Sequence, residues 1–150
     1  MRFINLDLLK EWVNNGAIIS DITFSKKLSH IINELPWLAG HVDFNKIENV
    51  TASISNLLND ESKLCFEKIC QWFGQCKINH SEYIAFWYSE DQPCVVCERE
   101  FALANIDSAY WGVPGWNYMF GCTVKEGEII ADYNEILCYD SADTLVILKK

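Results

Sequence analysis

The sequence predicts an α+β domain in which N-terminal helices pack on one face of a C-terminal antiparallel sheet of about five strands. Three observations carry this expectation. Apolar residues recur at three- and four-residue spacing up to about residue 80 and at two-residue spacing beyond it. A chain of 150 residues is the size of one ordinary domain and is long enough to bury a core without staples. Half the residues are apolar and 22% are charged, which is the composition of a packed fold rather than of a disordered chain. Residues 1–150 therefore read as one domain with a helical part, 1–80, and a sheet part, 81–150.

Asn5 is placed to cap a first helix with Leu8, Leu9, Trp12 and Val13 on one face and Gly16 as its stop. Asp21 or Thr23 caps a second, in which Phe24, Leu28, Ile31, Ile32 and Leu35 share a face and Pro36 ends the run. Trp37-Leu38-Ala39-Gly40 reads as a connector whose Trp plugs the helical layer. Asp43 opens a third helix, with Phe44, Ile47, Val50, Ile54, Leu57 and Leu58 at helical spacing. A fourth carries Leu64, Phe66, Ile69, Cys70, Trp72 and Phe73 and is expected to be the central packing element, lying between the other helices and the sheet.

Period two takes over at Glu82. Residues 82–88 are apolar on both parities, the pattern of a strand covered on both faces. Ser89 to Pro93 turns the chain into a partner strand over 94–103, so the two form a hairpin. Trp116, Tyr118, Phe120, Cys122 and Val124 alternate in the next strand. Residues 129–139 and 144–148 supply the last two.

Asp7, Lys10 and Glu11 interrupt the N-terminal apolar residues before a signal-peptide core could form, and no run reaches the 18 or so apolar residues of a membrane span. A soluble, cytoplasmic protein is expected. Seven cysteines, several inside apolar periodic segments, fit reduced thiols packed as small hydrophobes.

Charge is distributed unevenly. Residues 82–143 hold twelve acidic side chains against two basic ones, Arg99 and Lys125, whereas residues 1–81 hold nine and eight. The formal charge of −9 argues against nucleic acid and anionic membranes as partners and favours a cationic macromolecule. Within the acidic half, Ala109 to Cys122 packs Tyr110, Trp111, Trp116, Tyr118 and Phe120 around Gly112-Val113-Pro114-Gly115 without a single charge. Trp and Tyr are frequent hot-spot anchors, and a surrounding field steers association. Glu98 and Glu100 fall on one parity of a predicted strand and, with Asp132, form a ladder able to receive Lys and Arg from outside. Asp107, Tyr110, Trp111 and Trp116 complete the expected partner-binding set. Arg99 is a lone base on an apolar parity, suited to pairing with an acid or stacking on a Trp.

Chemical motifs are sparse. Cys94-Val95-Val96-Cys97 has the spacing of a zinc or redox pair, with Cys70, Cys76 and His80 as further candidate ligands. Yet Val-Val is strand chemistry that sends the two thiols to opposite faces, and a redox pair is expected at a helix N-terminus. Cys76 and His80 lack a third orienting residue. There is no calcium loop and no glycine-rich phosphate loop. The expectation is a binding protein without catalytic residues, metal or cofactor. Two alternatives remain: a small thiol or zinc protein using Cys94 and Cys97, and a small-ligand binding domain with an aromatic pocket.

The acidic, aromatic half from Glu82 to Asp143 and the bare N-terminus Met1-Arg2-Phe3 give the chain a class-level similarity: it resembles the immunity proteins that bacteria make against their own contact-dependent or polymorphic toxins. The resemblance is one of composition and size. It implies a cytoplasmic inhibitor that binds a basic cognate toxin, often a nuclease, and blocks its active site or substrate groove. A phage-type mimic of nucleic-acid charge is a close relative of that reading.

Overall fold

The computed structural model of the chain describes residues 6–61, 63–72, 77–87, 89–106, 118–140 and 144–149. Helix α1 (Leu6–Asn14) buries Trp12 and ends at Gly16, where the Gly16 amide donates to Val13 O and the Ala17 amide to Trp12 O, both at 3.0 Å. Strand β1 (Ile18–Ile19) leads to α2 (Ile22–Asn33), capped by Asp21, whose carboxylate accepts from the Phe24 amide at 2.9 Å. Strands β2 (Trp37–Leu38) and β3 (His41–Val42) form a small separate hairpin. A 3-10 turn at Phe44–Lys46, strand β4 (Glu48–Ser53) and a second 3-10 turn at Ile54–Leu57 follow. Helix α3 (Phe66–Trp72) and a third 3-10 turn at Lys77–His80 precede β5 (Tyr83–Trp87), β6 (Val95–Glu98), α4 (Arg99–Ala104), β7 (Tyr118–Lys125), β8 (Glu128–Asp140) and β9 (Thr144–Lys149).

The fold is α+β with a large antiparallel sheet and few, short helices. The main sheet has the order β1-β6-β5-β7-β8-β9-β4. Its five inner strands are those expected from the second half of the chain, and the 82–103 hairpin is present as β5 and β6. The first half supplies both edges, with Ile18 opposite Val96 and Val50 opposite Ile147.

Alternation along the inner strands splits their side chains between two apolar layers. Ile84, Phe86, Val95, Cys97, Met119, Leu137 and Ile147 face Trp12, Leu57, Ile69 and Leu103. Ala85, Val96, Phe120, Ile136, Val146 and Leu148 face Phe24, Leu28 and Ile32 of α2 and Val42 of β3. Helices thus cover both sheet faces, not one. The two-faced apolar pattern of β5 already required this, since Ile84, Ala85 and Phe86 are all fully buried.

Three further expectations are corrected. The predicted third helix from Asp43 is replaced by a 3-10 turn in which the Asp43 carboxylate accepts from the Asn45 amide, then strand β4 and a second 3-10 turn at Ile54–Leu57. Val50 and Ala52 alternate inward there, and pairing with β9 overrides the helical spacing of the flanking apolar residues. The fourth helix is not central. α3 buries Ile69, but its Trp72 is 47% exposed and donates from Nε1 to Thr51 O on edge strand β4 at 2.9 Å. Strand 94–103 stops at Glu98, because Arg-Glu-Phe-Ala-Leu-Ala is a run of good helix formers and continues as α4.

Two local features shape the far end of the sheet. The pairing of β7 with β8 shifts register between Phe120 and Cys122: Phe120 faces Ile136, but Cys122 faces Ala131. At that point the chain before β5 crosses close above β7, and a Cβ on Gly121 would lie 2.9 Å from Ser81 Cβ, so glycine is required by the approach. Glu135 on β8 is buried there and accepts from the Ile78 amide at 2.9 Å, fixing the Lys77–His80 turn to the sheet.

Candidate acidic docking surface

Strand β6 becomes helix α4 without an intervening loop, and this switch gathers the carboxylates. Glu98 is the last residue of β6 and occupies the capping position of α4, but its side chain makes no capping hydrogen bond and remains exposed. Glu100 lies in the first turn of α4, where the helix dipole favours a negative charge. The Arg99 amide donates to Glu82 O at 3.1 Å, drawing Glu82 alongside. Glu82, Glu98 and Glu100 consequently border a shallow depression of about 270 Å³ together with Tyr83 and Arg99. The Arg99 guanidinium sits 5.8 Å from the centroid of the Phe66 ring, so the aromatic it meets is a Phe, where pairing with an acid or stacking on a Trp was expected.

The predicted ladder on one strand face is therefore wrong in form. Glu98 and Glu100 do come together, but because a strand turns into a helix between them. Asp132 does not border the depression. It stands on β8, within electrostatic reach of Cys122, whose pairing partner Tyr83 lies opposite Glu98. Asp107, Tyr110, Trp111 and Trp116 lie outside the described residues. Of the residues on either side, Ile106 is buried in the layer facing α3 and α4, and Tyr118 begins β7.

Tyr118 belongs to an aromatic group that sequence reasoning did not assemble. Trp37 and Trp87 meet its ring edge-on, with centroids 6.3 and 6.1 Å away. Trp87 Nε1 donates to Ser25 O and Ser29 Oγ, and Trp37 Nε1 donates to Ile32 O at 3.1 Å, so both indoles are fastened to α2. Trp37 does not plug the helical layer. It is 42% exposed, and Leu38 beside it is 58% exposed, on the β2–β3 hairpin. The signal available in the sequence was Ala39-Gly40 between Trp37-Leu38 and His41-Val42, which is the length of a two-residue turn.

The Cys94 and Cys97 side chains enter different core layers, with Cys97 packed beside α4 and Cys94 beside α2. Two thiols on opposite faces of one strand do not converge on a single ion. Burial pushes Cys97 up to about 12 and Cys94 up to about 11, the latter partly offset by hydrogen bonding from Ser25 and Ser20. Cys122 is pushed up to about 12, first by burial and then by the neighbouring Cys94. At neutral pH all three are protonated and poor nucleophiles. Cys76 lies outside the described residues, and His80 is exposed on its 3-10 turn. Among the described residues no three His, Cys, Asp or Glu side chains gather into a metal-binding group, and no helix is long and apolar enough to cross a membrane. No protein-family model matches the chain, and comparison with curated proteins finds no significant match either.

Proposed function

We propose that this protein is an acidic cytoplasmic binding protein that neutralises a basic protein partner by covering its active site, as an immunity protein does with its cognate toxin. The observation that carries the reading is the convergence of Glu82, Glu98 and Glu100 on one depression at the end of a sheet packed on both faces. Carboxylates fixed to such a scaffold hold their geometry before the partner arrives, which lowers the ordering cost of association. Tyr110, Trp111 and Trp116 act as the apolar anchors, with Asp107 and Asp132 adding to the field. An interface of ordinary size, roughly 1,600 Å² in total, accommodates such a set.

The test begins with purification of the protein from its native host and mass spectrometry of what remains bound. Stopped-flow association with the purified partner then reads the mechanism. Added salt is expected to lower the association rate constant by roughly tenfold while dissociation changes little. Glu98→Gln/Glu100→Gln slows association, and Trp111→Ala accelerates dissociation by a factor on the order of thirty or more, equivalent to about 2 kcal/mol. An association rate insensitive to salt would sink the steering part of the proposal. Unchanged dissociation of the Trp111 and Trp116 variants would remove the anchors.

A further inference from the structure

Strands β7 and β8 outrun the sheet they belong to. β7 keeps its β5 partner only as far as Cys122, opposite Tyr83, and β8 meets β9 only from Glu135, opposite Lys149. Beyond those points residues 123–125 and 128–130 pair with each other alone, so among the described residues they form a two-stranded ribbon with no third strand. Glu126 and Gly127 close it in a two-residue turn with positive φ at both positions, 53° and 81°. A ribbon of this kind has little stability of its own. Its apolar support is one-sided: Ile129 and Ala131 are half-buried against the α2 layer, whereas Ile130 between them points outward and is 48% exposed.

The base of the ribbon is built differently. Phe120 faces Ile136 and Cys122 faces Ala131, so residues 132–135 of β8 stand opposite Gly121 alone. A bulge interrupts the ladder and bends the strand that carries it. The turn before β5 holds this one from above: Ser81 lies against Gly121, too close to admit a Cβ, and Glu135 accepts from the Ile78 amide at 2.9 Å. The sheet side of the bulge is clamped and the ribbon side is not. Between the ribbon's tip and the junction of β1 with α2 lies a cleft of about 410 Å³, so the two surfaces meet without filling the space between them.

We propose that residues 123–131 are a hinged flap that swings as one unit about the bulge, opening and closing the cleft over Ile18 and Phe24. The pairing within the ribbon survives the swing, because its cross-strand partners move together. What opening gives up is the partial burial of Ile129 and Ala131. That cost is small beside global unfolding, and elements held by few apolar contacts open first. Hinged motions of this size fall in the microsecond-to-millisecond range. The cleft shares no lining residue with the Arg99 depression, so the flap stands independently of the docking reading.

Relaxation dispersion of the backbone amides in the intact protein tests the flap. Residues 123–131 are expected to share one exchange rate, Phe24 across the cleft to report the same rate, and Met119, Leu137 and Ile147 on the clamped side to show none. Exchange that fades residue by residue from Gly127 inward, without Phe24, would be fraying and would overturn the hinge. A flat profile along the ribbon would overturn it too, making the ribbon a fixed extension of the sheet. Thr23 is exposed on the cleft wall, and Thr23→Leu adds apolar surface for Ile129 to close on. That variant should favour the closed form and lower the exchange amplitude by about half or more. An unchanged amplitude would mean that the motion does not close the cleft. Glu135→Ala removes the clamp on Ile78 and should carry exchange past the bulge into Phe120 and Ile136; exchange still confined to the ribbon would show that the clamp does not set the hinge.

Discussion

Strands β5 to β9 each have a strand neighbour on both sides and an apolar layer on both faces, whereas β1 and β4 at the margins have one neighbour and largely exposed outer residues. The inner strands come from one contiguous half of the chain, and most are joined by hairpins. The edge strands come from the other half and find partners far away in sequence. The contrast teaches that two kinds of information build this sheet: local alternation for the middle, and long-range pairing for the borders. Stability should follow the same division. Phe86, fully buried beneath Trp12 with ring centroids 4.9 Å apart, is expected to cost about 3–5 kcal/mol on replacement by Ala. Val50→Ala on half-buried β4 should cost about 1 kcal/mol. Urea denaturation of the two variants measures the difference, and equal losses would mean that the border is as much a part of the core as the middle.

The same division explains what could be read from the residues. The inner strands, the glycine stop after α1, the Asp21 cap and the burial of β5 on both faces follow from alternation, capping chemistry and apolar runs. β4 was hidden because Phe44, Val50, Ile54 and Leu57 satisfy helical spacing, and only its partner β9 decides the matter. The strand-to-helix switch at Glu98 was hidden for a related reason, since Val95, Cys97, Phe101 and Leu103 continue one strand parity. The acids at Glu98 and Glu100 were found for the right charge and the wrong geometry. Glu135, counted among the acids of that half, turns inward to hold Ile78, a role no local pattern could reveal.

The buried thiols extend the comparison to pH, because Cys94, Cys97 and Cys122 lie on or beside inner strands. Their folded pKa values, about 11, 12 and 12, exceed the ordinary thiol value of 9.0. Below pH 9 the thiols are protonated in both states, and their contribution to stability is fully present. Between pH 9 and the folded values the unfolded chain has lost protons that the folded chain retains, so stability falls as pH rises. At pH 10 the loss is on the order of 1 kcal/mol per thiol. Denaturation midpoints at pH 8 and 10 measure it, and Cys97→Ala should reduce the pH dependence. A stability that stays level from pH 8 to 10 would place these thiols in contact with water and weaken the distinction between middle and margin.

The smallest expected effect lies outside the main sheet, in the β2–β3 hairpin. Ala39 there has φ of 53° and is followed by Gly40 at 87°, again the two-residue turn with positive φ at both positions. An alanine in the left-handed region is disfavoured by about 1–2 kcal/mol. Glycine would relieve that penalty, but it also gives the unfolded chain more freedom, which takes back about 0.5–1 kcal/mol. The exposed Ala39 methyl contributes little packing to offset either term. Ala39→Gly should therefore stabilise the protein by about 0.5–1 kcal/mol, read as a modest upward shift of the denaturation midpoint. It should leave the edge-on contact of Trp37 with Tyr118 in place, visible as unchanged near-ultraviolet circular dichroism. A destabilised variant would mean that the alanine methyl shields the hairpin's apolar tip, making that turn part of the packed structure rather than an appendage to it.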